Sequence, residues 1–394
     1  MRLLCLTHHY PAPPDGGGPI RVQGLLRALT QRHEVHLVAT ARPRTTDAQR
    51  AEVRAMGITA EDFPAPPAPR SAAVLWLRAL ARRTPPWVLA RESPALLERA
   101  RGLLAETDAV VILDDYAGAY AASVRAAGAR TIVADKHLVM GADPAPRDIG
   151  GPRARAVQAI GARLTRSFER RCLRHVDAVV VTSDEEAERL ERTYGRRPDA
   201  VVVSAIDLPR RGGQGDPRRV AWLGSLDGHP IVEGLVRFVR SAWAPLGRAG
   251  FELLIAGRDP PEEVRALASV PGVSLLGFVD DLDAFLGRAG AAVVPLWAGQ
   301  GVKLKTLTLL GAGLPTVATP VALEGVPAVA GRHCLIADNP PSIAAALERI
   351  AADRAFAAKL GDGGRRLVGE RFNWEVVGPR FVETVERAAA ERER

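Results

Sequence analysis

A glycine-rich turn near residue 300 leads directly into two lysines. Residues 298–302 read Ala-Gly-Gln-Gly-Val and precede Lys303 and Lys305. Glycine allows the backbone to approach a ligand closely, and a helix that begins here offers free N–H groups to an anion. Because the dipole at a helix N-terminus disfavours cations, lysines placed there are stabilised when an anion binds. The turn is therefore a candidate site for a diphosphate group.

Lysine is rare in this chain. Of the 53 basic residues, 49 are arginine and four are lysine, at positions 136, 303, 305 and 359. High-GC coding together with abundant alanine produces such an excess of arginine without selection for charge chemistry. Arginine is thus the ordinary surface cation here, and each lysine is a candidate for a specific role.

A second glycine-rich turn, Gly16-Gly17-Gly18, lies between an apolar run and a helical pattern. Its glycines permit close backbone approach, and the following helix start favours an anion. The turn lacks the lysine of a P-loop and the complete dinucleotide-binding fingerprint. From the residues alone, a ligand-binding loop and a flexible turn are equal alternatives.

Polar residues also follow two predicted strands of the first half. His137 comes directly after Lys136, and the rare lysine beside it favours a ligand site over a histidine that only hydrogen-bonds to backbone. Residues 114–116, Asp-Asp-Tyr, end another strand, where parallel sheets meet ligands, and could line an acceptor pocket. A hydrolase with paired carboxylates would need a second acid within reach, which the spacing does not identify.

Metal ligands and disulfides are not indicated by spacing. The three cysteines, Cys5, Cys172 and Cys334, are far apart and are interpreted as small buried side chains in a reducing compartment. The acids at positions 280, 281 and 283 are predicted to cap a helix that begins at Leu282 rather than to bind a metal.

Composition narrows the class of protein. The chain has 394 residues, 47% apolar and 25% charged, as soluble globular proteins do, and it lacks the long apolar stretch of a membrane span. Its net charge is +8, of which +7 falls in residues 1–200. Aromatic residues make up only 5% and do not alternate with basic ones, so a nucleic-acid-binding platform is not predicted. We expect a cytoplasmic protein.

Short apolar runs alternate with helical patterns throughout, which predicts an α/β fold with doubly wound parallel sheets. Predicted strands include Arg2 to Thr7, Arg130 to Ala134 and Ala291 to Pro295. Residues 209–217, Pro-Arg-Arg-Gly-Gly-Gln-Gly-Asp-Pro, have linker composition. The predicted organisation is an N-terminal domain at 1–208, a linker at 209–217, a C-terminal domain at 218–374 and a final helix at 375–394.

Several of these segments, in this order, resemble glycosyltransferase family 4, which has the GT-B fold. The resemblance covers nearly the whole chain. The segments that carry it are Gly16-Gly17-Gly18, Asp135-Lys136-His137, Phe168-Glu169-Arg170, Gly224-Ser225, Gly277-Phe278-Val279-Asp280, 295–320 and Phe372-Asn373-Trp374. It implies two Rossmann-like domains facing across a cleft, with the C-terminal helix crossing back to the first.

The resemblance also implies roles for individual residues. His137, Lys303 and Lys305 would be the catalytic set, with the two lysines stabilising the departing diphosphate. The donor, a UDP-, GDP- or dTDP-sugar, would contact a larger group: Gly16, Gly17, Gly18, Gly224, Ser225, Val279, Gly299, Gln300, Gly301, Val302 and Thr308. Transfer with retention, no metal and no cofactor are implied.

Two positions depart from the family pattern, in which acids stand eight residues apart. Here those positions hold Gln300 and Thr308. A hydroxyl at 308 in place of a bidentate carboxylate loses about 1.5–3 kcal/mol of binding to the nucleotide ribose if nothing replaces it. Two other functions therefore stay open: a weakly catalytic nucleotide-sugar-binding partner of another transferase, and a GT-B nucleotide-sugar epimerase.

The acceptor is not identified by any motif. High-GC coding and the altered ribose position favour a specialised-metabolite, antibiotic-type pathway or a cell-envelope pathway, with a small-molecule or envelope acceptor. Arginine-rich helix residues at 163–174 are expected to face solvent, although a basic amphipathic face could also rest on anionic lipid.

Overall fold

The computed structural model describes residues 1–14, 16–41, 45–67, 71–142, 151–210, 212, 215–226, 229–299 and 301–393. The chain forms two compact units. The first consists of Met1–Val203 together with Gly378–Arg394, and the second is Ser204–Val377.

The first unit is built on a seven-stranded sheet whose pairings are all parallel. Its strands are β1 (Arg2–Thr7), β2 (Glu34–Thr40), β3 (Ile58–Phe63), β4 (Ala109–Ile112), β5 (Thr131–Lys136), β6 (Ala178–Val181) and β7 (Ala200–Val201). They lie in the order β3-β2-β1-β4-β5-β6-β7. The central strands are continuous apolar runs buried on both faces, as helices covering both sides of a sheet require.

Within the described residues, eight helices of the first unit precede the second unit in the sequence. They are α1 (Gly17–Thr30), α2 (Asp47–Ala55), α3 (Ala72–Arg82), α4 (Pro86–Leu89), α5 (Pro94–Leu103), α6 (Ala121–Ala126), α7 (Pro152–Leu173) and α8 (Asp184–Tyr194). Short 3-10 turns occupy Leu104–Glu106 and Ala117–Tyr120. Ser93 and Ser183 cap α5 and α8, each accepting a backbone N–H in the first turn.

The second unit repeats this architecture with six parallel strands. They are β8 (Arg219–Leu223), β9 (Glu252–Ala256), β10 (Val273–Gly277), β11 (Ala291–Val294), β12 (Thr316–Ala318) and β13 (Leu335–Ile336), in the order β10-β9-β8-β11-β12-β13. Both sheets therefore have the doubly wound order in which the chain reverses direction across the sheet. The predicted α/β fold with two parallel sheets is confirmed.

Helices of the second unit follow the same alternation. They are α9 (His229–Phe238), α10 (Ala244–Arg248), α11 (Glu262–Arg265), α12 (Leu282–Gly287), α13 (Leu304–Gly311), α14 (Pro340–Ala352) and α15 (Arg354–Arg371). The last helix, α16 (Trp374–Glu393), begins in the second unit and belongs to the first from Gly378 onward. Val239–Trp243 forms a π-helical turn between α9 and α10, and 3-10 turns lie at Ala266–Ser269 and Val321–Leu323. Asp281 caps α12 as predicted, accepting the Ala284 N–H at 2.9 Å.

Doubly wound sheets bind ligands beyond the carboxyl ends of the strands, next to the point where the strand order reverses. That point lies between β1 and β4 in the first sheet and between β8 and β11 in the second. Strand β5 extends to Lys136, two residues beyond the predicted end at Ala134, so the lysine belongs to the sheet itself.

None of the described helices is long and apolar enough to span a membrane.

Candidate functional site

The turn before α13 has the backbone geometry that its glycines permit. Gly299 and Gly301 have φ values of +123° and +76°, in the region that favours glycine. Lys303 is the N-cap residue of α13, and Lys305 lies in its first turn. The turn therefore delivers both predicted lysines to the start of a helix, beyond the carboxyl end of β11.

Lys305 lies against the end of β8. A Cβ atom added to Gly224 would be only 2.8 Å from Lys305 Nζ and 3.1 Å from Trp222 Cη2. The ammonium also lies 5.4 Å from the centroid of the Trp222 ring, within the range of a cation–π contact. Two predicted site residues that are 81 positions apart in the sequence are thus brought together.

Gly224→Ala is expected to displace the Lys305 ammonium and weaken nucleoside-diphosphate binding. The new methyl group would occupy the space at 2.8 Å from Nζ, and a flexible lysine end can move away without unfolding the protein. The measurement is calorimetric titration with UDP, GDP and dTDP. Gly287→Ala in α12 is the matched control, because its Cβ would meet no atom within 4 Å. Equal affinities for the Gly224 variant and the wild type would contradict the assignment.

Lys303 has a different environment. Its Nζ donates to Glu324 Oε2 at 2.8 Å, and its side chain is 9% exposed. An anion that binds Lys303 must compete with this carboxylate or share the ammonium with it. The two lysines of the turn are therefore not equivalent, and Glu324 is a neighbour that the sequence did not identify.

Thr308 lies one turn further along α13. Its hydroxyl donates to the Leu304 carbonyl oxygen at 3.0 Å, within its own helix. This local bond uses the hydroxyl hydrogen of Thr308 but leaves its oxygen able to accept a hydrogen bond. A carboxylate side chain at this position would accept two hydrogen bonds from the ribose hydroxyls. The structure thus shows a helix-internal hydrogen bond at the position where the family pattern has an acid.

The remaining predicted residues of the second unit are placed near strand ends. Ser225 follows β8 and is exposed, whereas Val279 follows β10 and is partly buried. Val302 is also partly buried, next to the turn. Gln300 lies outside the described residues.

In the first unit, Gly18 brings two histidines together. A Cβ atom on Gly18 would lie 3.7 Å from His9 Cε1 and 3.9 Å from His137 Cε1. Gly17 and Gly18 form the first turn of α1, and Gly16 is its N-cap in an extended conformation. The predicted glycine turn and His137 therefore share one place beyond the carboxyl ends of β1 and β5.

A buried ion pair lies beneath His137. Arg21 Nε and Nη2 donate to the two carboxylate oxygens of Asp135 at 2.8 and 2.5 Å, with side chains 1% and 0% exposed. His137 Nε2 lies 3.2 Å from Asp135 Oδ2. Burial raises the pKa of Asp135, but the Arg21 guanidinium outweighs burial and holds it below its ordinary value. Burial lowers the pKa of His137, but the Asp135 carboxylate outweighs burial and raises it.

Asp135→Asn is expected to lower the pKa of His137, because the amide removes the negative charge that stabilises the imidazolium. The measurement is an NMR titration of the histidine Cε1–H signals, with His137→Gln identifying the resonance. Glu61→Gln is the matched control, since Glu61 pairs with His36 at 2.7 Å and not with His137. A His137 pKa unchanged in Asp135→Asn would show that Asp135 does not control its charge.

Lys136 has a structural role that corrects the inference from its rarity. Its Nζ lies 2.7 Å from both Asp115 Oδ1 and Glu169 Oε1, and Glu169 accepts a further hydrogen bond from Tyr194 Oη at 2.6 Å. Burial lowers the pKa of Lys136, but the two carboxylates outweigh burial and raise it above its ordinary range. Lys136 is therefore bound inside the first unit, and its presence does not support a ligand role for His137.

Asp114 is likewise engaged within the fold rather than presented to an acceptor. It accepts hydrogen bonds from Thr7 Oγ1, the His8 N–H and the Ala117 N–H, each at 2.7 Å, and its side chain is 3% exposed. Burial raises its pKa, but His8 at 2.8 Å outweighs burial and lowers it strongly. Of the residues 114–116 that were expected to line an acceptor pocket, Asp114 is therefore a buried carboxylate with partners inside the fold.

The sequence did not identify several side chains that the structure places beside the predicted site residues. Arg21, one arginine among 49, is distinguished only by its burial beside Asp135. His8 and His9 follow β1 directly and could have been identified from their place at a strand end. Groups of His, Cys, Asp and Glu with the geometry of a metal site are absent from the described part of the chain.

Comparison with known protein families agrees with this arrangement of two units. The profile of the family "Glycosyl transferase 4-like domain" matches residues 16–206, and that of "Glycosyl transferases group 1" matches residues 217–353. This chain belongs to the group 1 glycosyltransferases. The predicted family 4 type and the expectation of a glycosyltransferase enzyme are confirmed. No curated protein matches the sequence.

Solved structures of glycosyltransferases show the same fold as this glycosyltransferase. Sucrose-phosphate synthase from Thermosynechococcus elongatus is 18% identical and has a TM-score of 0.72, with 99% of this chain and 100% of that chain covered. Anabaena HepE in complex with UDP-glucose is 14% identical, with a TM-score of 0.68 and coverage of 98% and 100%. WaaG, a glycosyltransferase involved in lipopolysaccharide biosynthesis, is 13% identical, with a TM-score of 0.61 and coverage of 97% and 99%. The GT-B fold is thereby confirmed.

Proposed function

We propose that this glycosyltransferase transfers a sugar from a nucleoside-diphosphate sugar to an acceptor hydroxyl or other nucleophile, with retention and without a metal. The observation that carries the proposal is the approach of Lys305 to Gly224 at the carboxyl edge of the second sheet. A cation beside a glycine strand end and at a helix start offers an ammonium, backbone N–H groups and a helix dipole to one anion.

In this reaction the bond between the sugar C1 and the diphosphate oxygen breaks, and a bond forms from C1 to the acceptor atom. The acceptor proton passes to the departing diphosphate, so no separate base is required. Lys305 stabilises the negative charge that develops on the diphosphate, and Lys303 contributes through the ammonium that it shares with Glu324. These fixed cations perform the charge neutralisation that a metal ion performs in other transferases.

The first nucleotide to test is UDP, because HepE, which shares the fold, is known in complex with UDP-glucose. GDP- and dTDP-sugars are the alternatives. Gly16, Gly17 and Gly18 with His137 are proposed to contact the sugar and acceptor, and Val279 the base. We further propose a cytoplasmic location and a role in specialised-metabolite or envelope biosynthesis.

The test is incubation of the protein with radiolabelled UDP-, GDP- and dTDP-sugars and a panel of small-molecule and lipid-linked acceptors. Sugar transfer with release of the nucleoside diphosphate, unaffected by EDTA, is the expected result. The anomeric configuration of the product, read from its NMR coupling constant, tests retention. Transfer that EDTA abolishes would contradict metal independence.

A second candidate function is that of a nucleotide-sugar-binding partner of another transferase. It is favoured by Thr308, whose hydroxyl is hydrogen-bonded within α13 where the family pattern has a carboxylate. Tight donor binding without turnover across the acceptor panel would favour this candidate. An isomerised donor recovered from the same assay would instead indicate an epimerase.

A further inference from the structure

Helix α3 buries very little of its own apolar surface. Nine of its eleven residues are Ala, Val, Leu or Trp, yet Ala79 is its only buried residue. Leu77 is 67% exposed, and Val74 and Leu80 are about half exposed. A helix that is apolar on most sides ordinarily packs inside a protein or against a membrane. Intramolecular packing within the described residues does not account for α3.

Exposed apolar side chains are concentrated on this part of the first unit. Eleven large apolar side chains are exposed in the described residues, and six of them belong to α3, α4 and the start of α7. We call this set the apolar face: Val74, Leu77, Leu80, Trp87, Val157 and Ile160. Single exposed apolar residues need no explanation, but their clustering on neighbouring helices marks an interaction surface.

Direct contacts hold the three helices together. A Cβ atom on Gly161 of α7 would lie 3.5 Å from the Trp87 ring of α4 and 4.0 Å from the Trp76 ring of α3. Arg171 of α7 donates to the Arg83 carbonyl oxygen at 3.0 Å, just beyond the end of α3. The apolar face is therefore one surface, since Val157 and Ile160 lie within about one turn of Gly161.

The chain segments that carry the apolar face contain positively charged residues and no negatively charged ones. Residues 71–91 and 151–162 contain six arginines and no aspartate or glutamate. The next acids along the chain are Glu92, which pairs with Arg82 at 2.8 Å, and Glu169, which is buried against Lys136. The surface thus combines exposed leucine, valine, isoleucine and tryptophan with an excess of guanidinium groups.

We propose that the apolar face docks on the surface of a bilayer that contains anionic lipids. Exposed leucines would enter the boundary between headgroups and acyl chains, where tryptophan is also favoured. Arginine stems can lie along the apolar surface while their guanidinium groups bind lipid phosphates. A protein partner would be expected to present acids to these arginines, whereas an anionic bilayer supplies both the apolar layer and the negative charge.

Four of the five arginines in residues 163–174, at positions 163, 166, 170 and 174, are exposed, as the sequence predicts. Several of them also contact other parts of the first unit. Arg171 is engaged with the end of α3, Arg170 lies 6.0 Å from the Tyr194 ring, and Arg166 donates to the Gly141 carbonyl oxygen at 2.9 Å. The second half of α7 thus combines exposed arginines with hydrogen bonds to other parts of the first unit. The proposed lipid surface is its first half together with α3 and α4, where the exposed apolar side chains lie.

The test is co-sedimentation of the full chain, without any nucleotide sugar, with vesicles of phosphatidylglycerol and phosphatidylcholine in equal parts. We expect binding that weakens with salt and is absent with pure phosphatidylcholine. The double variant Leu77→Asp/Leu80→Asp is expected to bind at least about tenfold more weakly, since two leucines no longer enter the bilayer. Arg78→Gln/Arg155→Gln is expected to lose about fivefold for each arginine.

Val329→Asp is the matched control, because Val329 is 53% exposed but belongs to the second unit. It should bind vesicles like the wild type, and circular dichroism should show all variants folded. The proposal would be overturned if the wild-type protein did not bind vesicles that contain phosphatidylglycerol. It would also be overturned if the Leu77→Asp/Leu80→Asp variant bound them with the affinity of the wild type. Self-association of the wild type that this variant abolishes, without vesicle binding, would assign the face to a second copy instead.

Failure of this proposal is distinguishable from failure of the proposed function, because vesicle binding is measured without donor or acceptor.

Discussion

Asp135→Ala is expected to lower the free energy of unfolding by about 3–5 kcal/mol. The substitution leaves the Arg21 guanidinium, whose side chain is 1% exposed, without its carboxylate partner. Removing one member of a buried ion pair costs more than the pair contributes, because an uncompensated charge remains in a medium of low polarity. Arg21 Nη1 is already buried without a hydrogen-bond partner among the described residues, so little compensation is available.

Urea unfolding followed by circular dichroism measures this effect. The double variant Arg21→Met/Asp135→Leu is the matched comparison, and it should regain most of the lost stability because apolar side chains replace both charges. Since the pKa of Asp135 is lowered in the fold, its contribution is present above the ordinary aspartate pKa of about 4 and is lost as pH falls through the folded pKa. A single variant as stable as the wild type at neutral pH would disprove the argument.

Lys305→Ala is expected to weaken nucleoside-diphosphate binding by about tenfold to a hundredfold, since a hydrogen bond to a charged group contributes about 1.5–3 kcal/mol. Its ammonium lies beside Gly224 and above the Trp222 ring, so alanine there removes a positioned charge from the edge of the second sheet. Calorimetric titration with UDP, GDP and dTDP measures the loss. In the transfer assay, kcat should fall as well, because the same charge stabilises the leaving group.

Lys359→Ala is the control for Lys305→Ala. Lys359 is an exposed lysine of the same unit, on α15, and the two substitutions make the same change in net charge. Unchanged affinity in Lys305→Ala would remove this lysine from the site. An equal loss in Lys359→Ala would show that the effect reflects overall charge rather than position.

Sequence patterns predicted the two parallel sheets because buried parallel strands are continuous apolar runs that need no partner information. They also located the turn at 298–302 and its two lysines, since glycine and a charged helix start are local signals. The ends of elements were less predictable. β5 continues to Lys136 because Asp115 and Glu169, both remote in sequence, satisfy the lysine inside the fold.

The partners of charged residues could not be predicted from the sequence. Glu324 is 21 positions from Lys303, and Asp135 is 114 positions from Arg21, so each pair depends on the tertiary fold. The rarity of lysine made Lys305 a site candidate and made Lys136 an argument for a ligand site at His137. Lys136 instead belongs to a buried ion network, and the sequence does not distinguish such a network from a ligand site because both place a lysine at a strand end.

The position of helix α16 at the end of the chain affects the order in which the two units complete their folding. Its residues from Gly378 onward belong to the first unit, where Phe381 and Val385 are fully buried and Arg392 pairs with Asp177. The ribosome makes this stretch only after all of Ser204–Val377. The second unit can therefore complete its fold during synthesis while the first unit, although begun earlier, still exposes the apolar surface that α16 covers. A chain truncated before Gly378 should therefore leave the apolar surface of the first unit exposed and should aggregate.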